Sequence, residues 1–172
     1  MNTLDVEEQT ELIGTPEALG AWLGERGLGG GSRVTPADQV RAIELREALR
    51  RLLVANNGGQ RREADLGLLN LVATESGLRP QFTAEGGVRL LPSAPGVPGS
   101  LGSLLAAVSE AMTQGTWHRL KACAEHGCHW AFYDRSKNRS GHWCSMEVCG
   151  NRAKARQFRE RRRGEGTASP SA

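Results

Sequence analysis

The sequence lacks any apolar run that approaches the roughly 18 residues a membrane span needs. Its start, Met1 to Glu11, is acidic and has no basic region followed by an apolar stretch, so it does not resemble a secretory signal. Aromatic residues are scarce at 5%, but hydrophobic residues make up 38% and charged residues 24%, close to the averages of globular proteins. We therefore expect a folded, cytoplasmic protein with no membrane partner.

Cysteine is also scarce. The four cysteines all lie between Cys123 and Cys149 of a 172-residue chain, which is long enough for one sizeable core and a small appendage. A disulfide framework is disfavoured in the reducing cytoplasm. The cluster therefore indicates metal or redox chemistry.

Basic and acidic residues are unevenly distributed along the chain. Residues 1–117 hold 10 Lys and Arg against 14 Asp and Glu, a net charge of −4. Residues 118–163 hold 12 against 4, a net charge of +8. A compact basic region on an acidic body is typical of nucleic-acid binders, because the basic part attracts phosphate. A solvated basic tail would give the same pattern, so charge alone leaves both readings open.

Start signals and apolar spacing predict four helices and one hairpin before the cysteines. Thr15-Pro16 and Thr35-Pro36 each supply an N-cap followed by proline in the first turn. The segment 84–87 predicts a hairpin turn, and 92–99 a loop. The expected helices start at Thr15 and end before Gly27, run from Thr35 to about Ala55, from Arg61 to about Thr74 and from Ser100 to Ala122, with strands over 78–83 and 88–91. The last helix is expected to run straight into the cysteine region.

The cysteines form two close pairs in the pattern Cys-x4-Cys-x15-Cys-x4-Cys. Four thiolates in this arrangement suit one tetrahedral, structural zinc ion and leave no open position for a catalytic water. The predicted ligands are Cys123, Cys128, Cys144 and Cys149. Alternatives are a redox pair, although the usual Cys-x-x-Cys is absent, metal-free buried cysteines, or ligation by His126, His129 or His142. Lys121 and Arg152 are expected to lower the pKa of the thiols.

The chain around these cysteines predicts a knuckle, a β-hairpin and a helix, which is the order of a treble clef zinc finger. The hairpin is expected around the turn-rich segment 134–141, and the helix from about Met146 to Arg163. Four arginines recur along one helix face at spacings of four, three and four residues. The four are Arg152, Arg156, Arg159 and Arg163. Their mutual repulsion favours an anionic partner. We expect Ala155 and Phe158 to pack on another face against Trp130 or Phe132.

Two sets of motifs resemble a known family. The segment 144–158, with Cys149-Gly150-Asn151-Arg152 at its centre, and the preceding segment 132–140 resemble the CGNR zinc finger of bacterial proteins. The upstream segments 15–19, 22–23 and 45–49 resemble the ABATE domain that precedes this finger. Together the resemblance covers nearly the whole chain. It implies a mixed α/β N-terminal domain, a treble clef finger and a proposed role in stress-induced transcription regulation through DNA binding.

We therefore expect an α+β protein that is not an enzyme: a mostly helical ABATE-like domain with a small hairpin over 1–117, a CGNR zinc finger over 118–163, and a disordered tail over 164–172. Double-stranded DNA is the expected partner. The expected principal contacts are Arg152, Lys154, Arg156 and Arg159, accompanied by Asn151 and Arg163, with Arg135, Lys137 and Arg139 as secondary phosphate contacts.

Other functions fit parts of the same sequence. The finger could bind a protein or RNA instead of DNA, because attraction to phosphate does not distinguish nucleic acids. A treble-clef nuclease would use His129 or His142 with a second metal, but no carboxylate cluster stands near these histidines. The N-terminal domain is expected to form a homodimer surface or to bind a small-molecule effector.

Overall fold

The first two helices begin where their caps predict. In the computed structural model, which describes residues 1–29 and 33–165 with the last two by backbone only, α1 spans Pro16–Glu25 and α2 spans Pro36–Asn56. Thr35 accepts a hydrogen bond from the amide of Asp38, whose carboxylate accepts one from the amide of Thr35. This reciprocal capping satisfies two amides that would otherwise lack partners at the start of α2.

The core of the N-terminal domain is built around α2. Helix α3 (Glu63–Glu75) packs on α2, and α4 (Gly96–Thr113) packs on α3. Strands β3 (Arg79–Phe82) and β4 (Val88–Leu91) form the expected antiparallel hairpin between these two helices. The most deeply buried side chains of this core belong to Leu19, Leu45, Leu53 and Val72.

A hairpin that the sequence did not predict opens the chain. Strands β1 (Leu4–Asp5) and β2 (Thr10–Glu11) pair in antiparallel register. Arg46 of α2 is 7% exposed, and its Nη1 donates to the Glu11 carboxylate at 2.6 Å. Because each strand has only two residues, alternation of apolar and polar residues could not reveal the strands. The buried, hydrogen-bonded charge of Arg46 holds the hairpin to the core.

Helix α4 ends earlier than expected. The sequence predicted a helix running through Ala122, but α4 stops at Thr113, and Gly115 takes a left-handed φ of 69°. A 3-10 turn follows over Trp117–Arg119, and the chain then forms strand β5 (Leu120–Ala122). Glycine adopts this φ at little steric cost, and the chain turns here. The prediction that one helix runs directly into the finger was therefore wrong.

The finger hairpin also differs from the prediction. Strand β5 pairs with β6 (Ala131–Tyr133), so the hairpin encloses the first two cysteines, and segment 134–143 is loop. A π-helical turn over Met146–Gly150 leads into α5 (Asn151–Glu165). The fold class, α+β with a C-terminal zinc finger, is confirmed. Helix α5 extends two residues beyond Arg163, and the remainder of the predicted disordered tail lies outside the described residues.

The C-terminal end of α2 holds the finger against the N-terminal domain. The Asn56 amide donates to the carbonyls of Trp117, the first residue of the 3-10 turn, and Leu120, just after it, at 2.9 Å each. The Asn57 amide donates to the carbonyls of Ala122 and His142, also at 2.9 Å. Asn56 and Asn57 stand just before the glycines that end α2. They satisfy backbone groups of the finger that would otherwise lack partners.

A second set of contacts reaches the outer strand of the finger hairpin. The side-chain amide of Asn2 donates to the carbonyl of Ala131 and accepts from its amide, at 2.9 and 2.8 Å. Arg50 Nη1 donates to the carbonyl of His129 at 2.9 Å. The finger therefore packs directly on the N-terminal domain.

Candidate metal centre and nucleic-acid interface

The four cysteines converge in space. Their Sγ atoms all lie within 4.8 Å of one another. The distances from Cys144 Sγ to the Sγ atoms of Cys128 and Cys149 are both 3.7 Å. A tetrahedral site with zinc–sulfur bonds of about 2.3 Å requires sulfur–sulfur distances of about 3.8 Å, whereas a disulfide requires about 2.05 Å. The geometry fits one structural zinc ion, and the four predicted ligands come together.

The electrostatics of the cluster also favour a bound dication. Burial raises the pKa of the Cys144 thiol to about 11 and raises the pKa of Cys149 as well. Burial also opposes ionisation of Cys123, but hydrogen bonds from the backbone amides of Cys144 and Glu125 and from the thiols of Cys144 and Cys149 together lower its pKa. Four thiolates crowded together need a positive charge among them, which zinc supplies.

Lys121 donates its hydrogen bonds to the loop after β6. Its Nζ donates to the carboxylate of Asp134 at 2.8 Å and to the carbonyls of Arg139 and Gly141 at 2.6 and 2.9 Å. The Asp134 carboxylate is buried, which opposes ionisation, but Lys121 and the amides of Ser136 and Gly141 outweigh burial and lower its pKa. The three hydrogen bonds of Lys121 thus go to Asp134 and the loop after β6, and its expected effect on the pKa of the thiols stays a prediction.

Two of the histidines considered as ligands or catalytic groups, His129 and His142, are hydrogen-bonded to the N-terminal domain. His142 Nδ1 lies 2.7 Å from Asn57 Oδ1. His129 has a left-handed φ of 52°, and its carbonyl accepts the hydrogen bond from Arg50. Among the described residues, the four cysteines form the one cluster of at least three ligand-type side chains close enough to share a metal.

Helix α5 carries most of the predicted DNA contacts. It contains seven Lys and Arg and two Asp and Glu among its 15 residues. Arg152 makes a bidentate ion pair with Glu7, with N–O distances of 2.9 and 2.7 Å, and Arg156 pairs with Glu125 at 2.6 Å. These ion pairs raise the pKa of both arginines. Two of the four predicted principal contacts are thus held by carboxylates of the same chain.

The other predicted contacts have different surroundings. In the part of the chain that the structure describes, no carboxylate forms an ion pair with the side chains of Lys154, Arg159, Arg163, Arg135, Lys137 or Arg139. All six are exposed. The Asn151 side chain donates to the carbonyl of Glu147 at 2.8 Å. The exposed cations lie on two segments, the loop after β6 and the length of α5.

The apolar contact expected for α5 is absent. Phe158 is 62% exposed, and Ala155 is exposed as well. Ala153 is the buried residue of α5 within the described side chains. The expectation that Ala155 and Phe158 pack against Trp130 or Phe132 was therefore wrong: the helix meets the finger through its first turns and then extends away from it.

Glu7 and Glu125 were missed as parts of this interface. Glu125 lies between the first two cysteines and is one of four acidic residues in the basic region 118–163, which was an available signal. Glu7 lies 145 positions from Arg152 in sequence, so only the fold brings them together. Both carboxylates form ion pairs that partly neutralise the positive charge of the first turns of α5.

These observations define a two-part protein, a mostly helical domain carrying a four-cysteine zinc finger. Residues 1–115 match the ABATE family, which is described as "Putative stress-induced transcription regulator", and residues 119–162 match the CGNR zinc finger. The chain belongs to the ABATE family and carries a CGNR zinc finger, as its motifs indicated. Neither is an enzyme family. No curated protein matches the chain.

Two further features bear on partners. Within residues 1–29 and 33–165, no helix is both long and apolar enough to cross a bilayer.

A groove of about 690 Å³ lies between β4 and α4, lined by residues such as Val88, Leu90 and Ala107. Phe82 is 80% exposed on the adjoining hairpin, opposite Val88. The expected homodimer or small-molecule effector stays a prediction, with this groove as its candidate site.

Proposed function

We propose that this chain is a zinc-dependent, DNA-binding transcription regulator in which α5 contacts the DNA. The observation that carries the proposal is the charge and exposure of α5, which has seven basic and two acidic residues and buries only Ala153 among its described side chains. Without a packed face, such a helix gains little from tertiary burial. An anionic partner relieves the repulsion among its cations.

The zinc site gives α5 a fixed base. Cys149 lies in the π-helical turn that leads directly into α5, and Ser145 caps that turn by accepting from the amide of Val148 at 3.3 Å. Metal ligation thus sets the direction of the helix. Arg135, Lys137 and Arg139 on the loop after β6 are proposed as secondary phosphate contacts. Lys154, Arg159 and Arg163 are the exposed cations of the predicted set on α5 that form no ion pair among the described residues.

Duplex DNA is favoured over RNA by the shape of α5. A straight helix about 10–12 Å across fits the major groove of B-DNA, which is about 12 Å wide. The major groove of A-form RNA is too narrow for side chains to read. An enzyme is disfavoured because, within the described residues, the four cysteines are the one set placed to share a metal and they fill its coordination shell.

The test is selection of the zinc-loaded protein on a pool of random duplex DNA, with affinity measured across salt concentrations. We expect log affinity to fall with log salt by about 0.9 per neutralised phosphate, and one motif to be enriched. Salt-dependent binding without enrichment would indicate non-specific binding. A preference for single-stranded RNA, or no binding at low salt, would contradict the proposal in favour of the RNA- or protein-binding adaptor. Magnesium-dependent cutting of plasmid would favour a nuclease.

The N-terminal domain is proposed to regulate this binding by sensing an effector or by forming a dimer. The groove between β4 and α4, beside the exposed Phe82, supports this role. Titration of the protein mass in solution, with Phe82→Ser as the variant, tests the dimer. A wild-type monomer at all concentrations would leave the effector as the proposed role of the groove.

A further inference from the structure

Through position 163, the acidic residues on and around α5 lie on one side of the helix. Glu7 pairs with Arg152 and Glu125 pairs with Arg156, both near the finger. With about 100° of rotation per residue, Glu160 lies only about 20° around the helix from the buried Ala153. The inward side of α5 is therefore the side on which positive charge is neutralised.

The opposite side carries the charge that is left. Arg162 lies nine residues after Ala153, which places it about 180° around the helix. Phe158 lies about 40° from Arg162, and the Arg162 guanidinium stands over the Phe158 ring at 5.8 Å from its centroid. We call the surface of α5 within about 80° of the midpoint between Phe158 and Arg162 the outer face; its members up to position 163 are Asn151, Lys154, Ala155, Phe158, Arg159, Arg161 and Arg162.

Three of the four arginines that the sequence places on one face of α5 lie off the outer face. Arg152, Arg156 and Arg163 lie about 60–100° from Ala153, on the side that faces Glu7 and Glu125. Arg159 alone among the four turns toward the outer face. The four-three-four spacing placed these residues on one face, but the fold determines which face is free.

Phe158 gives the outer face an apolar group among cations. It is 62% exposed, and its neighbours on the face include Lys154, Arg161 and Arg162. In the major groove, cationic side chains bind phosphate or guanine edges, while phenylalanine makes apolar contact with the thymine methyl group. An aromatic side chain ringed by cations matches a thymine step flanked by phosphates.

Resting on the proposed DNA binding, we propose that the outer face of α5, centred on Phe158 and Arg162, is the surface that enters the major groove, and that Phe158 contacts a thymine methyl. Charge complementarity selects DNA as the occupant: the outer face has lysine and arginine without an acidic residue through position 163. Arg152 and Arg156 then serve to fix α5 against Glu7 and Glu125.

Two adjacent arginines make a matched test of the face. Arg162→Gln and Arg163→Gln remove the same charge at exposed neighbouring positions that lie about 100° apart around α5. On a fixed duplex containing thymine, we expect Arg162→Gln to lower the salt slope by about 0.9 and Arg163→Gln to leave it nearly unchanged. An equal or larger effect of Arg163→Gln would overturn the assignment of the outer face.

Phe158→Ala tests the base contact without changing charge. Because alanine favours helix, a loss of binding does not come from loss of α5. We expect unchanged salt slope and an affinity loss of about fourfold per methyl contacted, which disappears on the same duplex made with uracil in place of thymine. A loss equal on both duplexes, or no loss, would overturn the thymine contact. Failure of the wild type to bind any duplex at low salt would instead overturn the proposed function itself.

Discussion

Helices α2 and α5 show two ways in which one chain makes a helix. Helix α2 has 21 residues, eight of them buried, and its ends are fixed by a capping box and by two asparagines that bind the finger. Helix α5 has 15 residues, of which only Ala153 is buried among the described side chains. The first is held by hydrophobic burial, whereas the second depends on the zinc site at its start.

The difference follows from how each region buries surface. The N-terminal domain has enough apolar side chains to form a continuous core across α1, α2, α3 and α4. A finger of roughly 40 residues cannot do so and needs another source of stability, which metal ligation provides. Freed from packing, the side chains of α5 are available for charge and for a partner.

Removing zinc should have the largest effect, and it should unfold the finger while the N-terminal domain stays folded. Structural zinc in isolated fingers contributes roughly 10–16 kcal/mol of folding free energy, so a chelator should unfold the finger while α2 stays folded. Hydrogen exchange measures both regions at once: amides of 123–150 should lose protection, and those of Leu49 and Leu53 should keep theirs.

Restoring zinc should restore protection, and the native protein should contain one zinc per chain. If the amides of 123–150 stay protected after complete removal of zinc, packing on α2 and not the metal holds the finger.

Leu53→Ala should have the next largest effect, this time on the N-terminal domain. Leu53 is fully buried, so its truncation leaves a cavity and should lower the free energy of unfolding by about 4 kcal/mol. Phe158→Ala, on the exposed helix, should change it by at most about 0.5 kcal/mol. Urea unfolding of both variants makes the comparison. Similar losses in the two would mean that α5 packs against the body in solution.

Asp134→Asn should weaken the finger without touching its cysteines. It removes one charge of an ion pair whose two side chains are 5% and 2% exposed, leaving Lys121 buried without its counter-charge. Breaking a buried pair in this way costs about 3 kcal/mol, read as faster exchange of the amides in β5 and β6. Lys121→Met with Asp134→Asn is the control, and it should recover part of the loss. No recovery in the double variant would show that the hydrogen bonds of Asp134 to the loop, and not the ion pair, provide the stability.

Local signals in the sequence predicted much of this fold. The Thr-Pro caps located α1 and α2, the segment 84–87 located the β3–β4 turn, and the cysteine spacing located the zinc site. Each of these depends on residues close together in sequence. The end of α4 was missed because apolar residues continue at helical spacing as far as Leu120, while Gly115 turns the chain.

The surroundings of α5 required the fold. Periodicity placed four arginines on one face, but it could not say that Glu7 would reach Arg152 or that Phe158 would face solvent. The acidic partners come from the first hairpin and from the knuckle, and tertiary structure brings them to α5. A helical wheel therefore predicted the positive charge of α5 correctly and left open which side of it is free.

The smallest effect is expected from Glu7→Gln, which tests whether the hairpin at the start of the chain restrains α5. Arg152 and Glu7 are 49% and 47% exposed, and such a pair contributes little to stability because solvent screens it. Its effect on binding should be small as well: Arg152 lies on the inward side of α5, so even when released it should neutralise no further phosphate, and the salt slope should match that of the control.

Glu8→Gln is the matched control for this variant, since Glu8 lies on the same turn and forms no ion pair among the described residues. It removes the same charge from the same turn, so any general gain from lower repulsion of DNA appears in both variants. A slope steeper by about 0.9 in Glu7→Gln alone would show that a freed Arg152 reaches phosphate, and it would contradict an outer face centred on Phe158 and Arg162. Equal slopes would mean that Arg152 stays turned away from the DNA even when free, which is what an outer face centred on Phe158 and Arg162 requires.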